Sequence, residues 1–508
     1  MPIPPAYPHN ELADTDLHPI EQDRKDPDGK QGDTEDAVEA VPDQGYDPFE
    51  VDQKYLVASK STKFYRGVLL QMILFGTLAL VGPSMADAIS NLGGGGLSSP
   101  YLANLANSLS YTMSCLLTLC GGPLINKIGI KWACLIAAIG MPLAPSGYYT
   151  SARLGIDWYL LLSRTVGGLT DGFLYIGEST AMLSYPLPDE RGLYLGIWSA
   201  MRNSGSILGG AINYSTNFSK ETAGGIAWST YLVFVGFSAT GFIWALLLSP
   251  TAKVRRRDGS RIPSSARMSW KEEFVALWRH LQKPRTWLMF VPAFYSFFIG
   301  GTFGTYLSLN FSVRSRALSS LIVPTITVPA VLLYGKFILD RKSWSQKKRA
   351  WICAAAWVIP QAAAFIWVSI EISKQQNPLI AYDYGIHGAR WAEAYLPYLI
   401  IFVTCYWCQL SIYWILGTFS TDVKSSARTG GLFRAFETAG QAVSYGINAN
   451  SANKNVPMWI NIGVFVAALP CLFFLIRLVP EQPKEHDDVV EADGIKPAVP
   501  VASGALVA

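Results

Sequence analysis

AMRNSGSILGGAIN, residues 200–213, aligns without a gap to AFETAGQAVSYGIN, residues 435–448. Four positions coincide, among them the pairs Gly205/Gly440 and Asn213/Asn448. GGPLINK, residues 121–127, matches GKFILDR, residues 335–341, and the two matches fall in the same order along the chain. One structural unit therefore occurs twice, and the fold is expected to have two similar halves.

Around these stretches the sequence is apolar enough to cross a membrane many times. A helix needs about 20 mostly apolar residues to cross a bilayer, because lipid offers its backbone no hydrogen-bond partners. Half of the 508 residues are hydrophobic and only 15% are charged. Stretches that qualify run over 66–88, 101–121, 131–150, 158–183, 193–215 and 228–249, and over 285–308, 318–339, 350–372, 394–418, 430–448 and 457–479. The sequence thus predicts an all-α membrane protein of about 12 transmembrane helices in two six-helix pseudo-repeats.

Polar segments divide the chain at both ends and in the middle. Residues 1–60 hold fifteen of the 37 acidic residues, and residues 481–508 hold six more. Both segments are predicted to be disordered cytosolic tails. Between them we expect six-helix bundles at 61–249 and 285–480, joined by a cytosolic linker at 250–284. One helical face of the linker is apolar, which predicts an interfacial helix that tethers the halves: it carries Trp270, Phe274, Leu277, Trp278 and Leu281.

Basic residues predict the orientation, because short cytosolic loops carry an excess of Lys and Arg. With the N-terminus in the cytosol, the cytosolic loops hold Lys127, Lys131, Arg191, Arg255, Arg256, Arg257, Arg341, Lys342, Lys347, Lys348, Arg349, Lys424 and Arg428. The glycosylation sequons at Asn213, Asn217 and Asn310 fall on the opposite side. We therefore expect a multi-pass protein with both termini cytosolic, in the plasma membrane or the vacuolar membrane.

Ionisable residues within the spans are the candidate transport or gating residues, because a charge in a bilayer is costly and has to face the bundle interior. Arg164, Asp171 and Glu178 recur every seven residues and share one face of the fourth span. The repeat places Arg202 and Glu437 at equivalent positions, so these opposite charges are expected to meet across the central axis or to close one side of a cavity. The alternative is that all five form buried ion pairs that fix helix register.

Two carboxylates lie near the ends of predicted spans. Glu178 is close enough to the cytosol that we expect it to hold a loop through Arg191 or Lys127. Asp87 lies beside the glycine run at 93–96 and is expected to be interfacial.

The sequence lacks the motifs of several other classes of protein. No Lys-Ser or Lys-Thr follows the glycine run, so it does not form a nucleotide-binding loop. The seven cysteines lie in apolar stretches, and no span contains a histidine. The basic residues are distributed over loops rather than gathered in one patch. We therefore predict no enzyme activity, no cofactor, no metal and no nucleic-acid partner.

The loop after the second span resembles a family motif. GPLINKIGIK, residues 122–131, is similar to the loop motif of the major facilitator superfamily, which this chain keeps in Gly122, Lys127, Gly129 and Lys131. Asn126 stands where the family has an aspartate, which puts in doubt the charge relay that the motif implies. The matching loop in the second half ends in Asp340 and Arg341.

Other motifs resemble one branch of that superfamily. RTVGG, residues 164–168, is similar to the superfamily's fourth-helix arginine motif, which is often linked to proton-coupled carriers. LGGGG at 92–96, ANLAN at 103–107, SYP at 184–186, DERG at 189–192 and GIW at 196–198 resemble the uncoordinated-ninety-three-like branch, particularly its fungal members. The resemblance covers roughly residues 60–480.

This resemblance implies two alternative functions. The first is secondary transport of an unknown small-molecule substrate by alternating access, with proton coupling as one option, and the intramembrane charges favour it. The second is a non-transporting regulator or trafficking escort of other membrane proteins, which the substitution at Asn126 favours. In either case the lipid bilayer is a partner.

Overall fold

The computed structural model describes residues 52–97, 99–222, 225–262, 268–374, 381–419, 422–450 and 455–481. Most of both predicted tails therefore lies outside the described residues. The last part of the N-terminal tail is held in place, because Asp52 forms an ion pair with Arg255 at 2.8 Å. The tail boundary predicted at residue 60 is therefore too late by several residues.

The regular structure of the described residues is helical, apart from three isolated β-bridges. The first half contains α1 (Gln53–Leu56), α2 (Lys60–Arg66), α3 (Val68–Val81), α4 (Pro83–Ser90), α5 (Pro100–Leu119), α6 (Gly121–Ile128), α7 (Ile130–Gly140), α8 (Leu143–Leu154), α9 (Asp157–Ser184), α10 (Arg191–Asn217), α11 (Ser229–Ala239) and α12 (Gly241–Leu246). The linker contains α13 (Trp270–Leu281). The second half contains α14 (Pro284–Ser296), α15 (Ile299–Asn310), α16 (Val313–Tyr334), α17 (Gln346–Ser373), α18 (Gly388–Gly417), α19 (Val423–Ile447) and α20 (Val456–Arg477), and a π-helical turn, Gly335–Leu339, follows α16.

Many of these helices, alone or joined end to end, form stretches that are long and apolar enough to cross a membrane. Among the described residues, seven stretches qualify: Ile130–Leu154, Ser229–Leu246, Pro284–Asn310, Val313–Leu339, Gln346–Ser373, Gly388–Gly417 and Val456–Arg477. Two bent pairs, α3 with α4 at 40° and α5 with α6 at 67°, raise the number to nine. The predicted count of twelve depends on α9, α10 and α19, which are long but polar because they carry the intramembrane charges and face other helices.

The repeated glycines bring equivalent helices together within each half. A Cβ built on Gly205 of α10 would approach the Leu80 carbonyl of α3, and one built on Gly440 of α19 would overlap the Phe294 carbonyl of α14, both inside 3.0 Å. Small residues allow such close helix packing in membranes. The repeat seen in the sequence therefore corresponds to the same helix–helix contact made twice.

The two halves contact each other at both ends of the bundle. We name the end with the loops around residues 129, 187, 260 and 343 the basic end, and the other the opposite end. At the basic end Gly192 of α10 packs against the π-turn at Gly335. At the opposite end Gly210 packs against the Ser320 carbonyl of α16, and Asn104 Nδ2 donates to the Asn448 carbonyl at 2.7 Å. The structure is therefore closed at both ends.

The helix predicted in the linker is present as α13. Ser269 and Glu272 form a capping box at its start. Its predicted apolar face is split: Leu277 is buried against the protein, whereas Trp270 and Trp278 are 50% and 63% exposed. The reason is that two polar residues, Glu273 and His280, share the buried side with Leu277.

Candidate functional site

A cavity lies between the two halves, near the middle of α10 and α19. Residues of α4, α5, α9 and α10 line it from one half, and residues of α15, α18 and α19 line it from the other. The empty space in and around this cavity is about 700 Å³, solvent at its rim included. Its charged residues are Asp87, Arg202, Arg434 and Glu437, and its aromatic residues are Tyr111, Tyr175, Phe297, Tyr398, Phe402, Tyr406 and Tyr445. The cavity thus has two residues of each charge between aromatic walls.

The first half supplies one ion pair to this cavity. Arg202 donates to Asp87 Oδ2 from Nη2 at 2.7 Å and from Nε at 3.0 Å. The first span bends by 40° between α3 and α4, where Pro83 follows Gly82, and Asp87 lies on the second segment. The expectation that Asp87 is merely interfacial is therefore wrong. The proline within an apolar stretch is the sequence signal that could have indicated the bend.

The second half supplies the other ion pair. Glu437 accepts from Arg434 Nη1 at 2.7 Å and from Gln409 Nε2 at 2.6 Å. The guanidinium of Arg434 also lies over the rings of Tyr175 and Trp198, both in the first half. The expected pairing of Arg202 with Glu437 is therefore wrong, because each charge has a nearer partner in its own half. Arg434 is not among the residues predicted from the sequence, although its position three residues before Glu437 places both on one helical face.

Glu178 and Arg164 have different partners from those expected. Glu178 Oε2 lies 3.9 Å from Arg434 Nη2 across the halves, so it does not hold a loop through Arg191 or Lys127. Its position on the buried face of α9, one turn beyond Tyr175, explains the difference. Arg164 donates to Asn107 Oδ1 at 2.9 Å, and its Nε and Nη1 have no partner among the described residues.

Asp171 faces a second, smaller cavity within the first half. This cavity also contains Arg164 and shares Asp87, Tyr111 and Tyr175 with the central cavity. No hydrogen bond or ion pair to the carboxylate of Asp171 is present in the described part of the chain. Asp171 is therefore an unpaired carboxylate in a cavity that shares lining residues with the central cavity.

The loop motif contacts both α13 and the second half at the basic end. Asn126 Nδ2 donates to Glu273 Oε2 at 2.9 Å, and Arg428 Nη1 donates to the same oxygen at 3.3 Å. Gly122 packs directly on the backbone of Arg428. Lys127 donates to the Met268 carbonyl.

Two further motif residues are explained by local geometry. Gly129 has φ of +85°, which glycine adopts without strain, at the turn before α7. Lys131 donates to the Leu246 carbonyl at the end of α12, at 2.9 Å. This hydrogen bond joins the start of α7 to the end of α12.

The matching loop of the second half makes a different contact. Asp340 accepts from the backbone N–H groups of Gly192 and Leu193, at 2.8 and 2.5 Å, at the start of α10. Burial raises the pKa of Asp340 to about 6, although these two hydrogen bonds oppose the shift. Arg341 lies over the ring of Trp344 at 4.9 Å and does not touch the first half in the described contacts.

A bridging arginine joins the two halves at the opposite end. Arg314 at the start of α16 binds Asp383 at 2.5 Å within its own half and Glu221 of the first half at 2.7 Å. Burial alone would raise the pKa of Asp383, but hydrogen bonds from Arg314, Ser312 and the Gly385 N–H lower it to about 2. This pair therefore stays charged over the physiological pH range.

The three sequon asparagines are buried. Asn213 and Asn217 are 0% exposed and Asn310 is 4% exposed. Each amide nitrogen donates to a backbone carbonyl, those of Ala88, Asn213 and Tyr306 respectively. The structure therefore contradicts the prediction of glycosylation for the folded chain, since none of these nitrogens is accessible.

The repeated helical halves and the charged cavity between them define a multi-pass membrane protein of the carrier type. The model of the Major Facilitator Superfamily matches residues 67–445. The chain belongs to this superfamily.

Individual relatives confirm the branch. The chain is 31% identical to Notoamide biosynthesis cluster protein O' of Aspergillus versicolor over 422 residues, which cover 82% of this chain and 90% of the relative. It is 24% identical to UNC93-like protein 1 of Arabidopsis thaliana over 430 residues, which cover 83% and 93%. The predicted resemblance to the uncoordinated-ninety-three-like branch is confirmed.

Solved structures share the fold. The proton:xylose symporter XylE has a TM-score of 0.55 at 14% identity, covering 86% of this chain and 99% of that one. FucP in the outward conformation has a TM-score of 0.55 at 11% identity, covering 82% and 99%. At such identities the likeness shows the major facilitator fold alone.

Proposed function

We propose that this protein is a secondary transporter that carries a small organic solute across a membrane by alternating access. The observation that carries the proposal is the central cavity, which has an ion pair from each half. Ionised groups at membrane depth are costly, and binding sites of two-halved transporters lie between the repeats. The closure at both ends corresponds, in this proposal, to the occluded step of the cycle.

The lining of the cavity supports a solute without net charge. Each carboxylate of the cavity has an arginine at 2.7 Å, so the walls offer no uncompensated charge to an ion. A solute of single charge would lose its hydration and gain no counter-ion. Tyr111 and Tyr445 stack across the halves with ring centroids 5.6 Å apart, which favours a solute with a flat or apolar body. The Aspergillus versicolor relative is named for a biosynthesis cluster, which supports an organic metabolite.

The alternative function, a regulator or escort, has less support. It rests on Asn126, whose amide replaces the expected carboxylate. Glu273 places a carboxylate between Asn126 and Arg428, so the loop still has a charge partner. An escort function does not require the buried ion pairs around the cavity.

A metabolite comparison tests the transport proposal. Cells lacking the protein are compared with cells that overproduce it and with cells that overproduce Glu437→Gln. We expect one solute to change in opposite directions in the first two strains and to stay at the level of the deletion with the variant, because Arg434 then loses its nearer carboxylate partner, the one that lines the cavity. Glu393→Gln is the matched control, since Glu393 lies in an exposed pair with Arg390.

Two results would contradict this proposal. One is that no solute follows the protein level while other membrane proteins are mislocalised, which would support an escort. The other is that Glu437→Gln transports as well as the control, which would make the charges structural.

Asp171 is the proposed site of proton coupling. Its carboxylate has no ion pair in the described part of the chain and lines the smaller cavity together with Asp87 and Arg164. An unpaired carboxylate can bind and release a proton without breaking an ion pair. We expect Asp171→Asn to bind the solute found above but to lose the stimulation of uptake by an inward proton gradient in proteoliposomes. Uptake by the variant that still responds fully to the gradient would show that the proton site lies elsewhere.

A further inference from the structure

One carboxylate of the linker joins the two halves at the basic end. Glu273 is 1% exposed and Arg428 is 2% exposed, with Arg428 Nη1 3.3 Å from Glu273 Oε2. Asn126 donates to the same oxygen at 2.9 Å. Asn126 belongs to the first half and Arg428 to the second, so Glu273 bridges residues that have to separate if this end opens.

The linker helix is seated so that Glu273 reaches this position. The capping box of Ser269 and Glu272 fixes the first turn of α13 immediately before Glu273. Lys127 donates to the Met268 carbonyl ahead of the helix, and His280 Nε2 lies 3.1 Å from Thr429 Oγ1 near its end. The helix is thereby attached to both halves along its length.

The second half places its carboxylate in a different element. At the position that matches Asn126, Asp340 is on the loop itself and accepts from the N–H groups of Gly192 and Leu193. In the first half the loop has an amide, and the carboxylate comes from α13. A buried guanidinium needs a charged partner, and Glu273 supplies it to Arg428.

We propose that Glu273 is the latch of the basic end, which makes α13 part of the gate and not only a tether. The contact with Arg428 stabilises the closed basic end and has to break when that end opens. The proposal goes beyond the proposed function, since it concerns how the halves separate and holds whatever solute is carried.

Labelling of two buried reporter cysteines tests the latch without a substrate. Ser179→Cys reports the basic end, where Ser179 packs against Gly430 of the other half, and Ser320→Cys reports the opposite end, where Ser320 packs against Gly210. Both serines are 0% exposed. Each reporter is placed in full-length protein whose accessible cysteines, Cys115, Cys120 and Cys471, are replaced by serine, and is labelled with a water-soluble maleimide in detergent.

We expect Glu273→Gln to raise the labelling rate of the Ser179→Cys reporter at least about tenfold and to leave that of the Ser320→Cys reporter unchanged. Glu272→Gln is the matched control: it makes the same change of charge at the exposed neighbouring position, and glutamine keeps the capping box. An unchanged rate at the basic end in Glu273→Gln would overturn the proposal.

Adding Asn126→Asp to Glu273→Gln is the decisive variant. It places a carboxylate at residue 126, which contacts Glu273 together with Arg428, so that Arg428 again has a carboxylate nearby. The labelling rate should therefore fall back to within about twofold of the parent. If Glu273→Gln unfolds the protein and thereby exposes both reporters, the latch predicts that adding Asn126→Asp returns the labelling rates of both reporters to those of the parent. Failure of this second carboxylate to restore closure would equally overturn the latch.

Discussion

Replacing Asp87 by asparagine is expected to destabilise the protein by about 3 kcal/mol and to abolish transport. Arg202 is 8% exposed, and Asp87 is its only ion-pair partner in the described structure. Removing one partner of a buried pair leaves an uncompensated charge, which costs about 3–5 kcal/mol. Arg202→Gln should have an effect of similar size, because it leaves Asp87 as the uncompensated charge.

The double variant separates stability from function. Asp87→Asn with Arg202→Gln leaves no unpaired charge, so the loss of stability should be well below the sum of the single losses, with a coupling of about 1–3 kcal/mol. Transport should stay absent, since the cavity has lost both groups. Chemical unfolding in detergent measures the cycle, and Glu393→Gln, from the exposed pair with Arg390, should change stability by less than about 1 kcal/mol. Additive single effects would show that the two charges do not interact in solution.

Replacing Gly440 by alanine should cost about 3 kcal/mol and reduce the yield of folded protein. A Cβ at this position would overlap the carbonyl oxygen of Phe294, a backbone atom that cannot move aside as a side chain can. Forcing extra atoms into a packed core costs about 1–3 kcal/mol, and a backbone clash belongs at the upper end. Gly205→Ala, at the equivalent position of the first half, should be destabilising for the same reason, through the Leu80 carbonyl.

Gly463→Ala on α20 is the matched control for these glycine variants. A Cβ at Gly463 meets nothing within 4 Å. Alanine is the better helix former by up to about 1 kcal/mol, so this variant should be neutral or slightly stabilising. Thermal unfolding and size-exclusion chromatography in detergent compare the three. Equal stability of Gly440→Ala and Gly463→Ala would contradict the close approach of α19 to α14.

Together the two experiments address different consequences of the repeat. The glycines of the repeat place α10 against α3 and α19 against α14, and so build each half in the same way. The charges of the repeat differ, because Arg202 pairs with Asp87 of the first span whereas Glu437 pairs with Arg434 of its own helix. The halves are therefore equivalent in their packing and unequal in their chemistry.

Local properties of the sequence were sufficient to predict where the helices of this fold lie. Hydropathy over about 20 residues and helical periodicity depend only on neighbours along the chain. The ends of the helices consequently lie within a few residues of the predicted ones for most spans, and α13 occupies the segment predicted for it. The ungapped repeat from 200–213 to 435–448 likewise indicated two halves without any structure.

The partners of the charges depended on the tertiary structure. The bend between α3 and α4 turns Asp87 towards Arg202, and the packing of α19 against α9 brings Arg434 close to Glu178. Glu273 meets Arg428 although 155 residues separate them. Sequence spacing shows which residues share a helix face, but the rotation, bend and neighbours of that helix result from the packing of the whole bundle. The sequence by itself therefore determined the spans, the halves and the family of this protein, whereas only the tertiary structure decided which charges line the cavity and which close its ends.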